Sequence, residues 1–331
     1  MLTESSCLII GGGITGLIAA QTLHSRGISV TILDKGRGIG GRLATRRLSH
    51  PEYGEGVIDY GAPHFTANGP EFKALVSQWL EQNLIKVWST GFVSSNGQIE
   101  ETTYYCGREG NRAIAKHLAQ NLNVHTNTQV TKVVWEANYW QAHTATDQIF
   151  TGEYLLLTPP VPQSLELLKS LNLALPQKLT EVAYHPCIAV LTLLEAESHI
   201  PPPGGLWLNG NPLTWINCNH QKGISPNAYG VTLHASPEYS HSHWKSDDSS
   251  IIDDLINSAS PWLGSRVITH QIHRWRYSRA HKVYGEPFLA LTQPGPLILA
   301  GDGFLGSNLE GAVLSGLAAA DYLWWENISS N

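Results

Sequence analysis

The chain has 331 residues, 42% hydrophobic and 15% charged, which is enough for one large or two intimate domains with a buried core. Its formal net charge of -6 gives no general attraction to nucleic acid or to an anionic membrane. The four cysteines form no CxxC pair, so their spacing predicts neither a zinc site nor a redox dithiol. No signal-peptide pattern and no apolar run of about 20 residues occurs, so we expect a cytoplasmic protein.

A strand, a glycine-rich turn and a helix open the chain. Cys7 to Ile10 reads as a short buried strand, and residues 11–16, Gly-Gly-Gly-Ile-Thr-Gly, fit the pattern GxGxxG. Helical spacing then runs to Gly27, and a second strand over 28–33 leads to Asp34. The pattern is that of a complete βαβ unit, which predicts a dinucleotide site.

Each residue of this turn has a physical role in such a site. Gly11 allows the tight turn, Gly13 lets the backbone approach a pyrophosphate, and Gly16 lets helix and strand pack closely. Ile14 and Thr15 open the helix, whose N-terminus faces the phosphate charge. Asp34 stands about 20 residues later, where its carboxylate can accept hydrogen bonds from ribose hydroxyls. The competing interpretation is a glycine-rich turn that binds no ligand.

A second glycine-rich stretch follows at once. Lys35, Arg37, Gly41 and Arg42 belong to a segment in which glycines alternate with arginines. Glycines permit close backbone approach and guanidinium groups bind anions in a fork, so we predict a second anion-binding stretch beside the first. A basic solvated loop is the alternative for the arginines, but it does not explain the glycine spacing.

These motifs resemble those of the FAD-dependent amine oxidase superfamily, and their residue sequence is most similar to that of its renalase branch. The resemblance rests on GxGxxG with Asp34, on the RxGGR-like residues 37–42, and on Asp-Tyr-Gly-Ala at 59–62. It recurs at the other end of the chain, in residues 297–303 and 309–316. The resemblance implies an FAD-dependent oxidoreductase, and the lack of a cysteine near the C-terminal motif implies non-covalent FAD.

The resemblance also assigns roles to single residues. It implies that Asp302 contacts the ribityl-phosphate region of FAD and that the helix opening at Gly311 and Ala312 points its positive end at the flavin ring. Val130 would pack near the adenine. The full predicted set of cofactor-binding residues is Gly11, Gly13, Ile14, Thr15, Gly16, Asp34, Lys35, Arg37, Gly41, Arg42, Gly61, Ala62, Val130, Thr158, Gly301, Asp302, Glu310, Gly311 and Ala312.

The expected fold is α/β with an α+β two-domain arrangement: a Rossmann-like FAD-binding domain with an inserted, mostly antiparallel β substrate domain. Because motifs for one ligand come from both ends of the chain, the FAD-binding domain must be discontinuous. We predict that residues 1–63, 108–160 and 271–331 form it. Residues 64–107 and 161–270, which carry alternating strand patterns, would form the substrate domain.

The candidate substrate-binding residues are His64, Trp275, Tyr277 and Asn308, and His64 is also the one candidate catalytic residue. A structural histidine and plain aromatic packing are the competing interpretations. The pair His241-x-His243 lacks further ligands at diagnostic spacing, so we predict a polar surface loop and no metal site. The reactivity would belong to the flavin rather than to a side chain.

The segment before Glu310 reads Gly-Ser-Asn-Leu and lacks the aromatic residue that amine-oxidising relatives place there. Similarity to the renalase branch implies a small-molecule substrate, a dihydronicotinamide such as NAD(P)H or its misreduced isomers. Oxygen would take the electrons and leave as H2O2. The alternatives are an amine oxidase or desaturase that acts on a small substrate, and a flavin-binding module without turnover.

Overall fold

The computed structural model describes residues 5–208 and 210–330. The chain divides into two compact units, of which unit 1 comprises Met1–Gly41, Ala115–Ala183 and Ala280–Asn331. Unit 2 comprises Arg42–Ile114 and Tyr184–Arg279. The domain bounds expected from the sequence were drawn from the predicted ligand contacts, and they stay a prediction. Residues 1–4, 209 and 331, which belong to those predicted domains, lie outside the described residues.

A six-stranded sheet forms the centre of unit 1. With strands and helices numbered in chain order over the whole molecule, its members are β1 (Ser6–Ile10), β2 (Ser29–Leu33), β7 (Asn123–His125), β11 (Tyr154–Leu157), β17 (Phe288–Leu291) and β18 (Leu297–Ala300). The order across the sheet is β17-β18-β11-β1-β2-β7, parallel except for the antiparallel edge strand β17. β11 and β18 are buried along their whole length, as strands covered on both faces are.

A small antiparallel sheet and several helices complete unit 1. The sheet has the order β10-β9-β8, with β8 (Val130–Glu136), β9 (Tyr139–Thr144) and β10 (Ile149–Gly152). The helices are α1 (Ile14–Ser25), α4 (Val161–Leu168), α5 (Gln177–Thr180) and α8 (Leu309–Ser330). α8 begins two residues before the expected start at Gly311, because Asn308 caps it. The expected Rossmann-like α/β arrangement is confirmed.

Unit 2 is built on a seven-stranded sheet of order β16-β12-β15-β14-β13-β5-β6. These strands are β5 (Ile85–Ser94), β6 (Ile99–Gly107), β12 (Ala183–Leu194), β13 (Gly205–Trp207), β14 (Leu213–Cys218), β15 (Tyr229–Ala235) and β16 (Val267–Lys282). Four of its neighbouring pairs are antiparallel and β13 with β5 is parallel, which agrees with the mostly antiparallel sheet expected. The hairpin of β3 (Thr45–His50) and β4 (Gly54–Asp59) is a separate two-stranded sheet, and its Leu48 and Ile58 pack against Leu191 and Leu193 of β12.

The helices of unit 2 are α2 (Pro70–Glu81), α6 (Pro237–Ser242) and α7 (Asp248–Leu263), and α3 (Arg112–Leu118) spans the boundary of the two units. α7 buries Ile251, Ile252 and Leu255 in an apolar core shared with β12, β14 and β15. His241 lies in α6 rather than in the loop expected, because Ser236 caps this helix by accepting a hydrogen bond from the N–H of Tyr239.

All four cysteines are free thiols, and burial raises the pKa of the Cys7 thiol to about 12, as expected of a core residue. Within residues 5–208 and 210–330, no helix combines the length and apolar character needed to cross a membrane. In the same residues no three His, Cys, Asp or Glu side chains converge as metal ligands would.

Candidate functional site

Four predicted cofactor-binding positions lie at one edge of the six-stranded sheet. Gly11 directly follows β1, Asp34 follows β2, Thr158 follows β11 and Gly301 follows β18. Since these strands are parallel neighbours, their carboxyl ends meet at one edge. The strand order reverses at β1 and β11, and open α/β sheets place a ligand at such a point.

The turn after β1 leaves its backbone open to an anion. Gly13 is the N-cap of α1, so no side chain caps the first N–H groups of the helix. A Cβ on Gly13 would meet nothing within 4 Å. A Cβ on Gly16 would lie 2.1 Å from the carbonyl oxygen of Gly11, so only glycine permits this packing. Ile14 and Thr15 are buried in the first turn. The free N–H groups of that turn and the helix dipole suit a pyrophosphate.

The carboxylate of Asp34 is fixed by two backbone amides. The N–H of Gly12 donates to Oδ2 over 2.6 Å, and the N–H of Gly36 donates to Oδ1 over 2.6 Å. An ionised carboxylate offers about four acceptor positions, so further positions remain for ribose hydroxyls. Together with the open backbone at Gly13, this fixed carboxylate fits the pyrophosphate and ribose of a flavin dinucleotide.

The second glycine-rich stretch packs against the first. The N–H of Gly40 donates to the carbonyl of Gly12 over 2.8 Å, and Gly41 has a φ of +52° with its Cβ position 3.5 Å from the Cα of Gly13. The two loops are therefore adjacent, as the sequence predicts. Arg37 is exposed, and the exposed Lys35 ammonium donates to Gln163 over 3.1 Å.

The hydroxyl of Thr158 binds the turn itself. It lies 3.0 Å from the carbonyl oxygen of Ile10 and 3.1 Å from that of Gly11, so it secures the end of β1. Gly301 has a φ of +143°, and its N–H donates to the hydroxyl oxygen of Ser315 over 2.8 Å. These contacts connect β11 and β18 to the glycine turn and to α8.

The start of α8 brings the C-terminal motif to the same unit. Asp302, Glu310 and Ala312 are buried. A Cβ on Gly311 would lie 2.5 Å from the carbonyl oxygen of Gly306. Asn308 is exposed and its Oδ1 accepts a 2.8 Å hydrogen bond from the N–H of Gly311, so this candidate substrate residue acts as a helix cap. Val130, at the start of β8, is 9% exposed.

In unit 2, Gly61 and Ala62 lie in the turn that follows β4. The N–H of Ala62 donates to the carbonyl of Arg42 over 2.8 Å, and a Cβ on Gly61 would lie 2.0 Å from the same oxygen. The guanidinium of Arg42 donates to the carbonyl of Ser278 over 3.1 Å and lies 5.9 Å from the ring of Tyr184. These three predicted cofactor-binding residues therefore form one tight backbone junction.

A buried ion pair that sequence reasoning missed holds this turn. Asp59 and Lys222 are 0% and 1% exposed, and Nζ of Lys222 lies 2.6 Å from Oδ2 of Asp59. The other carboxylate oxygen of Asp59 accepts hydrogen bonds from the hydroxyl of Thr45 and from the N–H of Asn111. Asn111 also donates through Nδ2 to the carbonyl of Ala62 over 2.7 Å. Nothing local in the sequence marks Lys222, because its burial depends on a partner 163 residues away.

His64 stands in a cluster of five aromatic rings, which we call the aromatic cluster. Its imidazole is partly exposed, but Nε2 is buried and has no hydrogen-bond partner among the described residues. Burial, assisted by the ammonium of Lys222 and by the nearby imidazole of His234, lowers the pKa of His64 to about 3, so the ring is neutral. The ring centroids lie between 4.6 and 6.2 Å from that of His64, and they belong to Tyr104, Trp215, Phe92, Trp207 and Trp88.

Trp275 and Tyr277 lie on β16, and each contacts a different tyrosine. Trp275 donates through Nε1 to the carbonyl of Tyr60 over 2.9 Å and stacks on the Tyr60 ring at 5.4 Å. Tyr277 meets Tyr184 edge-on at 5.6 Å. Burial and the charge of Arg46 lower the pKa of the neighbouring His273 to about 4. Trp275 and Tyr277 are partly exposed, so each ring packs against its tyrosine and leaves part of its surface open to solvent.

Comparison with known families gives two matches. Residues 9–79 match the NAD(P)-binding Rossmann-like domain. Residues 89–323 match the family described as flavin containing amine oxidoreductase. The second match covers well over half of the chain.

Relatives and solved structures agree with these matches. The chain is 24% identical to renalase from Mus musculus over 351 residues, covering 96% of this chain and 98% of the relative. A candidate protoporphyrinogen oxidase from Exiguobacterium sp. 255-15 superposes with a TM-score of 0.73 at 14% identity, covering 98% of this chain and 100% of that one. Putrescine oxidase bound to putrescine gives a TM-score of 0.66 at 13% identity, covering 97% and 99%.

Proposed function

Because the chain belongs to the flavin-containing amine oxidoreductase family and is a renalase-like, FAD-dependent oxidoreductase, we propose that it oxidises a dihydronicotinamide. The substrate would be NAD(P)H or one of its misreduced isomers. Overall, the dihydronicotinamide would give up a hydride, which together with one proton from solvent and O2 would yield H2O2 and NAD(P)+. When bound, FAD supplies this redox chemistry, and the protein binds, orients and shields the reactants.

The neutral His64 in the aromatic cluster is the observation that carries this proposal. Loss of a hydride turns a dihydronicotinamide into an aromatic pyridinium and releases no proton, so the substrate needs a flat apolar surface and no base. Four of the five rings are at most 8% exposed, so what the cluster presents is the half-buried, uncharged imidazole of His64. An amine, in contrast, is protonated at neutral pH and must lose a proton before oxidation, and a histidine with a pKa of about 3 is a weak base for that step.

We assign the cofactor contacts as the sequence predicts them. In unit 1, the N–H groups after Gly13 would hold the pyrophosphate and Asp34 the ribose, since the turn is open and the carboxylate is fixed. The start of α8 at Gly311 and Ala312 would turn its positive end to the flavin. In unit 2, Arg42, Gly61 and Ala62 would contact the cofactor through their shared junction. Thr158 and Asn308 would support the site through backbone hydrogen bonds.

Anaerobic stopped-flow reduction tests the proposal. The FAD-loaded protein is mixed separately with isomers of chemically reduced NAD(P), with authentic NAD(P)H, and with a panel of small amines that includes putrescine. Fast bleaching of the flavin by a dihydronicotinamide, followed by one H2O2 per flavin when oxygen is admitted, is the expected result. Bleaching by amines alone would assign an amine oxidase, and no bleaching by any of the three would contradict turnover of these substrates.

A further inference from the structure

We propose that Lys222 is the positioning residue of the turn over residues 59–64, which carries Gly61, Ala62 and His64. Its ammonium joins the two ends of this turn and so fixes where His64 stands for the reaction. The part of this inference that concerns substrate oxidation rests on the proposed reaction, and the part that concerns the flavin environment rests only on the proposed cofactor contacts of Gly61 and Ala62.

The ammonium of Lys222 has a complete set of partners within unit 2. Nζ lies 2.6 Å from Oδ2 of Asp59 and 2.5 Å from the carbonyl oxygen of Pro63, to which it donates. It also lies 4.8 Å from the ring centroid of Trp88, within the range of a cation–π contact. Asp59 is the first residue of the turn, and Pro63 immediately precedes His64. One buried cation therefore connects both ends of the turn.

Several hydrogen bonds hold the loop that carries Lys222. The N–H of Lys222 donates to the carbonyl of Cys218 over 2.9 Å, and the imidazole of His220 lies 3.0 Å from the carbonyl oxygen of Ser225. Oδ1 of Asn219 accepts a 3.2 Å hydrogen bond from the N–H of Asp59. The loop between β14 and β15 thus sets the position of the ammonium. The ammonium in turn holds Asp59 and the carbonyl of Pro63 in place.

A stabilising role alone does not account for this pair. Removing two charges from water is costly, and apolar residues of similar size often stabilise a protein as well as a buried ion pair does. The bond to the Pro63 carbonyl is what an apolar replacement cannot provide. It orients the peptide unit next to His64, and this gives the pair a geometric function.

The charge of Lys222 also affects His64 directly. The titratable groups near the imidazole are Lys222, His234 and the phenol of Tyr104, with the Cys106 thiol in the same core cluster. His234 is itself neutral because burial lowers its pKa to about 4, and burial raises the pKa of Cys106. Lys222 is therefore the charged group of this set, and it helps to keep His64 unprotonated.

The test uses three variants of the FAD-bound protein. Asp59→Asn/Lys222→Met removes both charges together with the donor to Pro63. Asp59→Asn alone leaves the Lys222 amine, which can donate to Pro63 with or without its proton. Lys86→Met is the control, because it removes a different lysine, which is only partly buried and whose charge acts on the same Cys106 thiol as that of Lys222. Folding is verified by far-UV circular dichroism, and all measurements are made well below the unfolding temperature.

Two readouts are compared. The visible circular dichroism of bound FAD reports on the turn whether or not a substrate is known, and stopped flow with reduced NAD(P) isomers separates the limiting reduction rate from the apparent Kd. We expect an altered flavin spectrum and a limiting rate about 10- to 100-fold lower in the double variant, because small displacements of a reacting geometry cost that much. Asp59→Asn should retain at least tenfold more activity than the double variant, and Lys86→Met should match the wild type.

A double variant with the wild-type spectrum and limiting rate would overturn the inference, as would equal impairment of the double and single variants. If the wild-type protein is not reduced by any dihydronicotinamide, the proposed function fails, and the flavin spectra alone then decide the role of Lys222. A change in the spectrum of the double variant but not of Lys86→Met would support positioning even then.

Discussion

The hydroxyl of Thr15, in the first turn of α1, donates a 2.9 Å hydrogen bond to the carbonyl oxygen of Ala312, 297 residues further along the chain. A Cβ on Gly316, one turn later in α8, would lie 2.6 Å from the carbonyl oxygen of Thr15. The N-terminal turn and the C-terminal helix therefore pack backbone against backbone. The two motifs that bracket the sequence form one structure within unit 1.

Gly316→Ala should destabilise this junction. The added methyl group would meet backbone rather than a flexible side chain, so α8 has to move away from α1. We expect a loss of about 1–3 kcal/mol in the free energy of unfolding, the range for overpacked cores, measured by urea titration. Ser329→Ala, at the exposed end of the same helix, should change stability by less than about 0.5 kcal/mol. Equal effects of both substitutions would contradict the close packing.

Two glycines of the first turn should respond differently to alanine. Gly13→Ala adds a methyl group in open space, so the apoprotein should lose only about 1 kcal/mol, the typical difference at a helix N-cap. The same methyl group would occupy the surface predicted to receive the pyrophosphate, and FAD affinity should fall at least about tenfold, or 1.4 kcal/mol. Fluorescence titration with FAD measures the affinity.

Gly16→Ala is the contrasting variant. Its methyl group would overlap the carbonyl oxygen of Gly11, so the apoprotein itself should lose about 1–3 kcal/mol by urea titration. Unchanged FAD affinity in Gly13→Ala, together with unchanged stability in Gly16→Ala, would refute the roles assigned to this turn.

Lys222→Met should be among the most destabilising single substitutions in unit 2. It leaves the carboxylate of Asp59 buried without its cation, and breaking a buried pair in this way costs about 3–5 kcal/mol. Adding Asp59→Asn removes the stranded charge and should recover most of that loss. The four free energies of unfolding form a double-mutant cycle, and additive effects would show that the two side chains do not interact.

Stability should decline as the pH falls below about 6.5. The folded-state pKa values of His64 and His234, about 3 and 4, lie below the ordinary value of 6.5, so the unfolded chain binds more protons. Their contribution is complete above pH 6.5 and is lost as the pH falls towards the folded-state values. Each histidine should contribute a slope of about 1.4 kcal/mol per pH unit between pH 6 and pH 4.5.

His234→Gln removes one of these two titrating imidazoles, so the contribution of His234 to the pH dependence of stability can be measured by difference. His234 is 7% exposed, and its Nε2 lies 3.2 Å from the carbonyl oxygen of Tyr60, a contact that a glutamine amide can reproduce. Denaturant titrations of both proteins at several pH values give the two slopes. The stability of the variant should fall less steeply with pH, by about one proton, and parallel slopes would show that folding does not lower the pKa of His234.

The rate of flavin reduction by a dihydronicotinamide should not depend on His64 ionisation between pH 5 and pH 8. Because the pKa of His64 is about 3, its ring stays neutral over this interval. Stopped-flow limiting rates at half-unit pH steps measure the profile, and a step near pH 6.5 that disappears in His64→Gln would contradict the neutral imidazole.

The resemblance of its motifs to a known family implied FAD as the cofactor, and the sequence by itself determined the βαβ unit with its dinucleotide pattern and the strand Leu297–Ala300. These features depend on local rules: glycine is needed wherever a Cβ would strike backbone, as at Gly16, and a parallel strand buried on both faces reads as a continuous apolar run. The position of Asp34 follows from the length of one helix and one strand. All of these features depend on residues within a few dozen positions of one another, so a short sequence motif is enough to predict them.

The tertiary structure alone decided the rest. The burial of Lys222 depends on Asp59 in a distant hairpin, and the neutrality of His64 depends on rings from β5, β6, β13 and β14. Asn308 and Thr158 read equally well as ligand contacts, but their hydrogen bonds go to backbone groups. The free energy of a buried charge or polar group depends on which groups surround it in space, and residue spacing along the chain does not encode those long-range neighbours.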